Sequence, residues 1–270
     1  MTRAASPPDA RLAAPLAALA GEGAVRGIFL GGSHGRGRAD AFSDIDLIAV
    51  ADPADHARLV DIWTRALDDT LTPVHRMERV GPTSLVNVVC DDWLRVDLLL
   101  RADLRGRARD LLLPLHDPSD LFSGLPGTLP AATPDAGRVE GIVREFLRVI
   151  GLLPVGAGRG EDVVLLTGLG HLRDLTIRLM LEDCPEADRG GALHLSRLLP
   201  PERMAALAAL PTPPCERGAL IAANLAHAEL FLPLARELTA RTGGTWPAAF
   251  EEATRRRLRD ALGVELPDAQ

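Results

Sequence analysis

The sequence has no tyrosine and no lysine, so all 30 of its basic side chains are arginine. Aromatic residues make up only 3% of the chain, too few for the stacking platforms that hold single-stranded nucleic acid. A net charge of -7 argues against a basic face matched to a phosphate backbone, so a nucleic-acid partner is not expected. Without lysine, any clamp on phosphate must come from arginine and backbone amides. The three cysteines, Cys90, Cys184 and Cys215, are far apart and form no C-x-x-C pair. They read as reduced thiols of a cytoplasmic protein rather than a zinc site. No run approaches the ~18 apolar residues of a membrane span. The nearest, 219–235, is interrupted by Asn224, His227 and Glu229, and no membrane partner is expected. The apolar stretch 12–20 contains Pro15 and follows Asp9 and Arg11, which predicts a first amphipathic helix rather than a secretory leader.

At 270 residues the chain has the length of about two domains. Its 47% hydrophobic and 25% charged residues supply a packed core, not a disordered chain. The two halves differ in texture. Residues 25–100 alternate short β-branched runs with polar turns, as α/β sequences do. Strands are predicted at 25–30, 45–50 and 71–80, with a helix within 52–67. Two further strands, 84–89 and 94–100, join through a turn at Cys90-Asp91-Asp92. Residues 123–135 hold three prolines and two glycines, a linker composition. Beyond it the apolar period becomes 3.6, with helices near 136–152, 161–183, 200–209, 215–241 and 247–262. The helix at 161–183 is apolar on nearly every side and is predicted to form the buried centre of a bundle. The expected organisation is thus an α/β domain over 1–124 and an all-α bundle over 136–270.

The chemistry is concentrated in the stretch from Phe29 to Leu47. Gly31 and Gly32 follow a strand and permit a tight turn with close backbone approach to a ligand. Ser33 then opens a short helix whose amides and hydroxyl can meet phosphate oxygens. Asp44 and Asp46 flank Ile45 on a strand, so both side chains point to one face, ~6.6 Å apart along it. Two carboxylates so close repel each other unless a cation lies between them, and a pair of Mg²⁺ ions meets that need. Asp97, a lone charge in the apolar run Leu94 to Leu100, is costly there unless paired or coordinated.

Gly32-Ser33, Gly37 four residues after the serine, and Ser43-Asp44-Ile45-Asp46-Leu47 together resemble the signature of the DNA polymerase β-like nucleotidyltransferase superfamily. A small catalytic domain followed by helices is also similar in layout to the antibiotic nucleotidyltransferases, which modify aminoglycosides or lincosamides. The resemblance implies an α+β catalytic domain with a mixed sheet. It implies Asp44, Asp46 and Asp97 as metal ligands and catalytic acids, with Mg²⁺ as cofactor; the third acid, Asp97, binds metal, accepts the acceptor proton, or does both. It further implies ATP or another nucleoside triphosphate as co-substrate, held by Gly32, Ser33, Arg36 and Ser43, the last also able to orient the acidic strand. The reaction implied is transfer of a nucleoside monophosphate, AMP above all, to a hydroxyl of a small and cationic acceptor, with release of pyrophosphate and antibiotic resistance as its consequence. Two alternatives stand beside it: a protein-adenylylating enzyme of toxin–antitoxin type, and a nucleotide-binding module without turnover.

Other charged residues have structural readings. Glu140 and Glu145 lie on the first helix past the linker and read as an ion-paired face or as a base reaching a cleft. Asp174 and Arg178, four apart, are expected to pair with each other. His34 and Asp40 read as loop residues, and His171 and His227, without partners at metal-ligand spacing, as core or surface histidines. Arg255-Arg256-Arg257, with Glu251, Glu252 and Asp260 nearby, reads as a solvated helix face.

Overall fold

A computed structural model describes residues 7–189 and 194–268. The chain divides into two compact units, Met1–Pro130 and Ala131–Gln270.

The first unit is a six-stranded mixed sheet with helices. In chain order it runs α1 (Ala13–Ala20), β1 (Gly27–Leu30), α2 (Gly32–Gly35), β2 (Ile45–Val50), α3 (His56–Asp68), β3 (Pro73–Arg79), β4 (Ser84–Cys90), β5 (Arg95–Arg101) and β6 (Leu113–His116). The strands lie in the order β3-β4-β5-β2-β1-β6. β2 and β5 run parallel and the other neighbours antiparallel.

Period-two alternation divides the residues between the two faces. Ile45, Leu47 and Ala49 of β2, Val96, Leu98 and Leu100 of β5, and Val86 and Val88 of β4 join one core with Leu59, Trp63 and Leu67 of α3 and Leu16 and Leu19 of α1. The alternate residues, among them Asn87, Asp97 and Asp46, therefore lie on the face away from α1 and α3. At the β1 side that second face has a smaller core of its own, built on Phe29, Ile48, Val50, Leu104 and Leu112.

Two features of this unit depart from the sequence reading. β6 is a strand that Pro114 disguises; it is tolerated because β6 is the last strand of the sheet and pairs on one side only. The segment expected to be a linker is also tied down at its start. Leu121, Phe122 and Leu125 pack on the second-face core, and the amides of Arg109 and Asp110 donate to the carbonyls of Pro126 and Gly127 at 2.9 and 3.1 Å. Proline and glycine here mark irregular backbone, not free chain.

The regular elements among the described residues of the second unit are all helices: α4 (Ala136–Gly151), α5 (Leu153–Arg159), α6 (Asp162–Glu182), α7 (Leu195–Leu198), α8 (Pro201–Ala209), α9 (Arg217–Thr242) and α10 (Ala248–Leu262). α4, α6 and α9 share a core in which the rings of Phe146 and Phe231 stack at 3.7 Å, 4° from parallel. α9 is long and apolar enough to cross a membrane by length and composition, yet its Phe231, Leu232 and Ala235 are fully buried in this core. α5 escapes a periodicity search because it is short and interrupted by Gly156 and Gly158.

α6 is not buried all round, contrary to the sequence expectation. Val163, Val164 and Leu166 in its first turns are 70%, 57% and 40% exposed, because its partners cover the opposite stripe from Leu165 through Leu179. Asp174 and Arg178 pair at 2.8 Å as their spacing predicts. Arg255 is no part of a basic patch. It is held by Glu251 at 2.9 Å and donates to the carbonyl of Pro267 at 2.9 Å.

Candidate active site

The site begins with the turn after β1. The amide of Gly31 donates to the carbonyl of Asp46 at 2.8 Å, which fixes the glycine turn to the acidic strand. Gly32 has φ +52, and a Cβ placed on it would fall 1.8 Å from Oδ2 of Asp46. Only glycine permits both the left-handed backbone and this approach to the carboxylate. Gly35 is held as tightly, since a Cβ there would meet the carbonyls of Leu111 and Leu30 at 2.4 and 2.7 Å. Gly37 differs: its φ is +64, but nothing lies within 4 Å of its would-be Cβ.

The sheet carries the acids. Asp46 and Asp97 are direct neighbours across the parallel β2–β5 ladder, and Asp44 precedes β2 by one residue. Carboxylate oxygens of Asp44, Asp46 and Asp97 all lie within 4.8 Å of one another. Burial, then the charges of Asp44 and Asp97, push the Asp46 carboxyl up to about 6, against the pull of Arg36 and Arg107. Burial also raises Asp97, opposed by a hydrogen bond from Asn87. The donor set is entirely hard carboxylate oxygen, with repulsion that a divalent cation would relieve, so these residues fit Mg²⁺ or Mn²⁺.

Ser33 supplies a second sign of a ligand. It is 8% exposed, and among the described residues its buried hydroxyl has no hydrogen-bond partner. A buried hydroxyl without a partner is unusual in a folded chain and awaits one from outside.

The remaining candidates take different places. Arg36 lies close enough to act electrostatically on Asp46. The Ser43 hydroxyl donates to Asp40 Oδ1 and accepts from the Asp40 amide, both at 2.9 Å, building the turn that leads into β2. Arg95 does not pair closely with Asp97; its Nη2 lies 3.5 Å from Asp44 Oδ2. Glu140 accepts from the amide of Thr245 at 2.6 Å, and Glu145 binds Arg148 at 2.7 Å and His171 at 3.2 Å. Both carboxylates therefore have partners inside the helical unit.

Two contributors escape a reading of the sequence. Asn87 of β4 stands opposite Asp97 in the antiparallel ladder. Its amide nitrogen serves Asp97 while its Oδ1 is buried without a partner. The signal was a polar residue at the alternate position of an apolar strand, legible once the β4–β5 register is known. Arg107, in the loop after β5, carries no sequence signal at all.

No protein-family model matches the chain, and no curated protein matches it. Among solved structures, an aminoglycoside 6-adenyltransferase from Bacillus subtilis aligns over 90% of this chain and 94% of its own, at 13% identity and a TM-score of 0.44. An overlap that low carries no weight for the chemistry, which rests on the site itself.

Proposed function

We propose that this chain is a metal-dependent nucleotidyltransferase that moves a nucleoside monophosphate, AMP from ATP, onto a hydroxyl of a small molecule. One observation carries the reading. Asp46 and Asp97 of two neighbouring strands and Asp44 just before β2 bring three carboxylates within 4.8 Å of one another, beside a glycine turn whose buried serine hydroxyl has no hydrogen-bond partner among the described residues.

In this reading Ser33 and the Gly31-Gly32 backbone receive triphosphate oxygens, and Arg36 and Arg107 balance their charge. Divalent cations, two in our reading, would be held by Asp44, Asp46 and Asp97 and would draw negative charge from the phosphate oxygens. The acceptor oxygen forms its bond to the α-phosphorus while the bond to the β-phosphate bridging oxygen breaks and pyrophosphate leaves. The acceptor proton passes to the Asp97 carboxylate, whose raised affinity for protons suits a general base. Positioning and charge account for the rate.

Pyrophosphate lies at the serine turn beside β1, and in-line displacement places the acceptor on the opposite side of the phosphorus, toward β5. The acceptor class we propose is a small, hydroxylated and cationic molecule of the aminoglycoside kind, in keeping with the net charge of -7.

The test is a pyrophosphate-release assay with Mg²⁺, each of the four nucleoside triphosphates, and a panel of aminoglycosides and lincosamides. Mass spectrometry of the acceptor then reports the added nucleotide. Turnover with one acceptor, abolished in Asp46→Asn, is the expected result. No release with any acceptor, joined to no nucleotide binding by calorimetry, defeats the reading.

A further inference from the structure

The helical unit contains a groove of about 640 Å³ bounded by the end of α4, by α5 and by α6, with Asn224 of α9 also in its lining. That volume falls within the ~300–1,000 Å³ of small-molecule pockets. Its walls are mainly aliphatic: Leu152, Leu153, Val155, Val164 and Leu165. Leu152 and Val164 remain 48% and 57% exposed, and Val163 and Leu166, also on the first turns of α6, add further exposed apolar surface there. Apolar surface of this kind marks a place that meets a ligand or another molecule.

Asn224 distinguishes the groove from a bare apolar face. It is 2% exposed, and its Nδ2 donates to the Leu220 carbonyl at 2.8 Å. That bond fixes which end of the carboxamide is the donor, and the Oδ1 at the other end receives no hydrogen bond. An acceptor on a residue that lines the groove, with no protein donor among the described residues, is open to a donor from the occupant.

The rim argues for an uncharged occupant. Arg148 and His171 both bind Glu145, and Arg159 and Glu161 line the groove with opposite charges. No net charge is left to attract an ion.

We propose that this groove binds a neutral, mainly apolar small molecule through a hydroxyl or N–H that donates to Asn224 Oδ1. The proposal does not depend on the nucleotidyl-transfer reading. It concerns a ligand of a different character from a cationic acceptor.

The test uses two probes of one shape on the full chain: 1-naphthol, which carries a hydroxyl donor, and 1-methoxynaphthalene, which carries none. The expected result is saturable one-to-one binding by fluorescence or NMR titration, with naphthol favoured about fivefold, the worth of one net hydrogen bond. Asn224→Leu, with its fold checked by circular dichroism, should bind both probes equally. Gly168→Phe should bind neither; a Cβ at Gly168 meets only Val149 Cγ1, at 4.0 Å, so the ring enters the groove without displacing the backbone. Binding of neither probe to the wild type, an unchanged preference in Asn224→Leu, or undiminished binding in Gly168→Phe each overturns the proposal. So does a wild-type dimer that Val164→Arg converts to monomer, which would make a second copy of the chain the occupant.

Discussion

Asp46 and Asp97 face each other as register partners across two parallel strands, on the side of the sheet that α1 and α3 leave bare. Two acids so placed repel, and Asp44 adds a third charge within 4.8 Å. The Asp46 carboxyl is accordingly raised from 3.8 to about 6. A folded-state value above the unfolded one means that stability from this group is complete below pH ~4 and lost as pH rises through about 6. In EDTA, Asp46→Asn should therefore gain on the wild type as pH rises from 4.5 to 7.5, as read by thermal melting. Mn²⁺ or Mg²⁺ at pH 7.5 should raise the wild-type Tm and leave that of Asp46→Asn almost unchanged. A difference between the two proteins that stays constant with pH would show that the triad carries no charge strain.

The two positive-φ glycines of the motif should respond differently. Gly37→Ala meets only the conformational penalty of a left-handed residue, about 1 kcal/mol, and should keep turnover within about threefold, since its would-be Cβ touches nothing. Gly32→Ala carries the same penalty and also displaces the Asp46 carboxylate. A displacement of the order of 1 Å at reacting groups costs about 100-fold in rate. Chemical denaturation and steady-state kinetics on both variants separate these effects, and equal rates would remove Gly32 from the site.

Asn87 is a positioning residue for Asp97. Its amide donates to the carboxylate and lowers an affinity for protons that burial raises. Asn87→Ala should move the acid limb of the kcat profile to higher pH, because in the proposed reaction Asp97 must be ionised to accept the acceptor proton. A purely structural role would lower kcat at every pH alike, leaving the limb in place.

Trp93 occupies a left-handed position (φ +64) in the β4–β5 turn while 78% exposed. Its amide donates to the Cys90 carbonyl at 2.9 Å, closing a tight turn in which glycine is the usual resident at this conformation. Trp93→Gly should raise stability by up to about 1 kcal/mol, the relief of strain less the added freedom of the unfolded chain. A loss of stability on urea unfolding would mean that contacts of the indole outweigh the strain.

Much of this protein was legible by local rules. Alternation along a strand put Asp44 and Asp46 on one side, the consecutive glycines announced the turn that lies against Asp46, and the 3.6-residue period located α4, α6, α8, α9 and α10 to within a few residues. Such patterns depend on neighbours a few positions apart, so the chain order alone expresses them. The β4–β5 register that gives Asp97 its amide donor, the attachment of β6 through a proline-bearing edge, the capture of Ser43 by Asp40 and the bare flank of α6 all arise from which surfaces meet after the chain folds. Pairing between distant segments is decided by the total burial and hydrogen bonding of the assembled sheet and bundle. The sequence by itself therefore determined which groups could do chemistry, and only the tertiary structure decided which of them stand together.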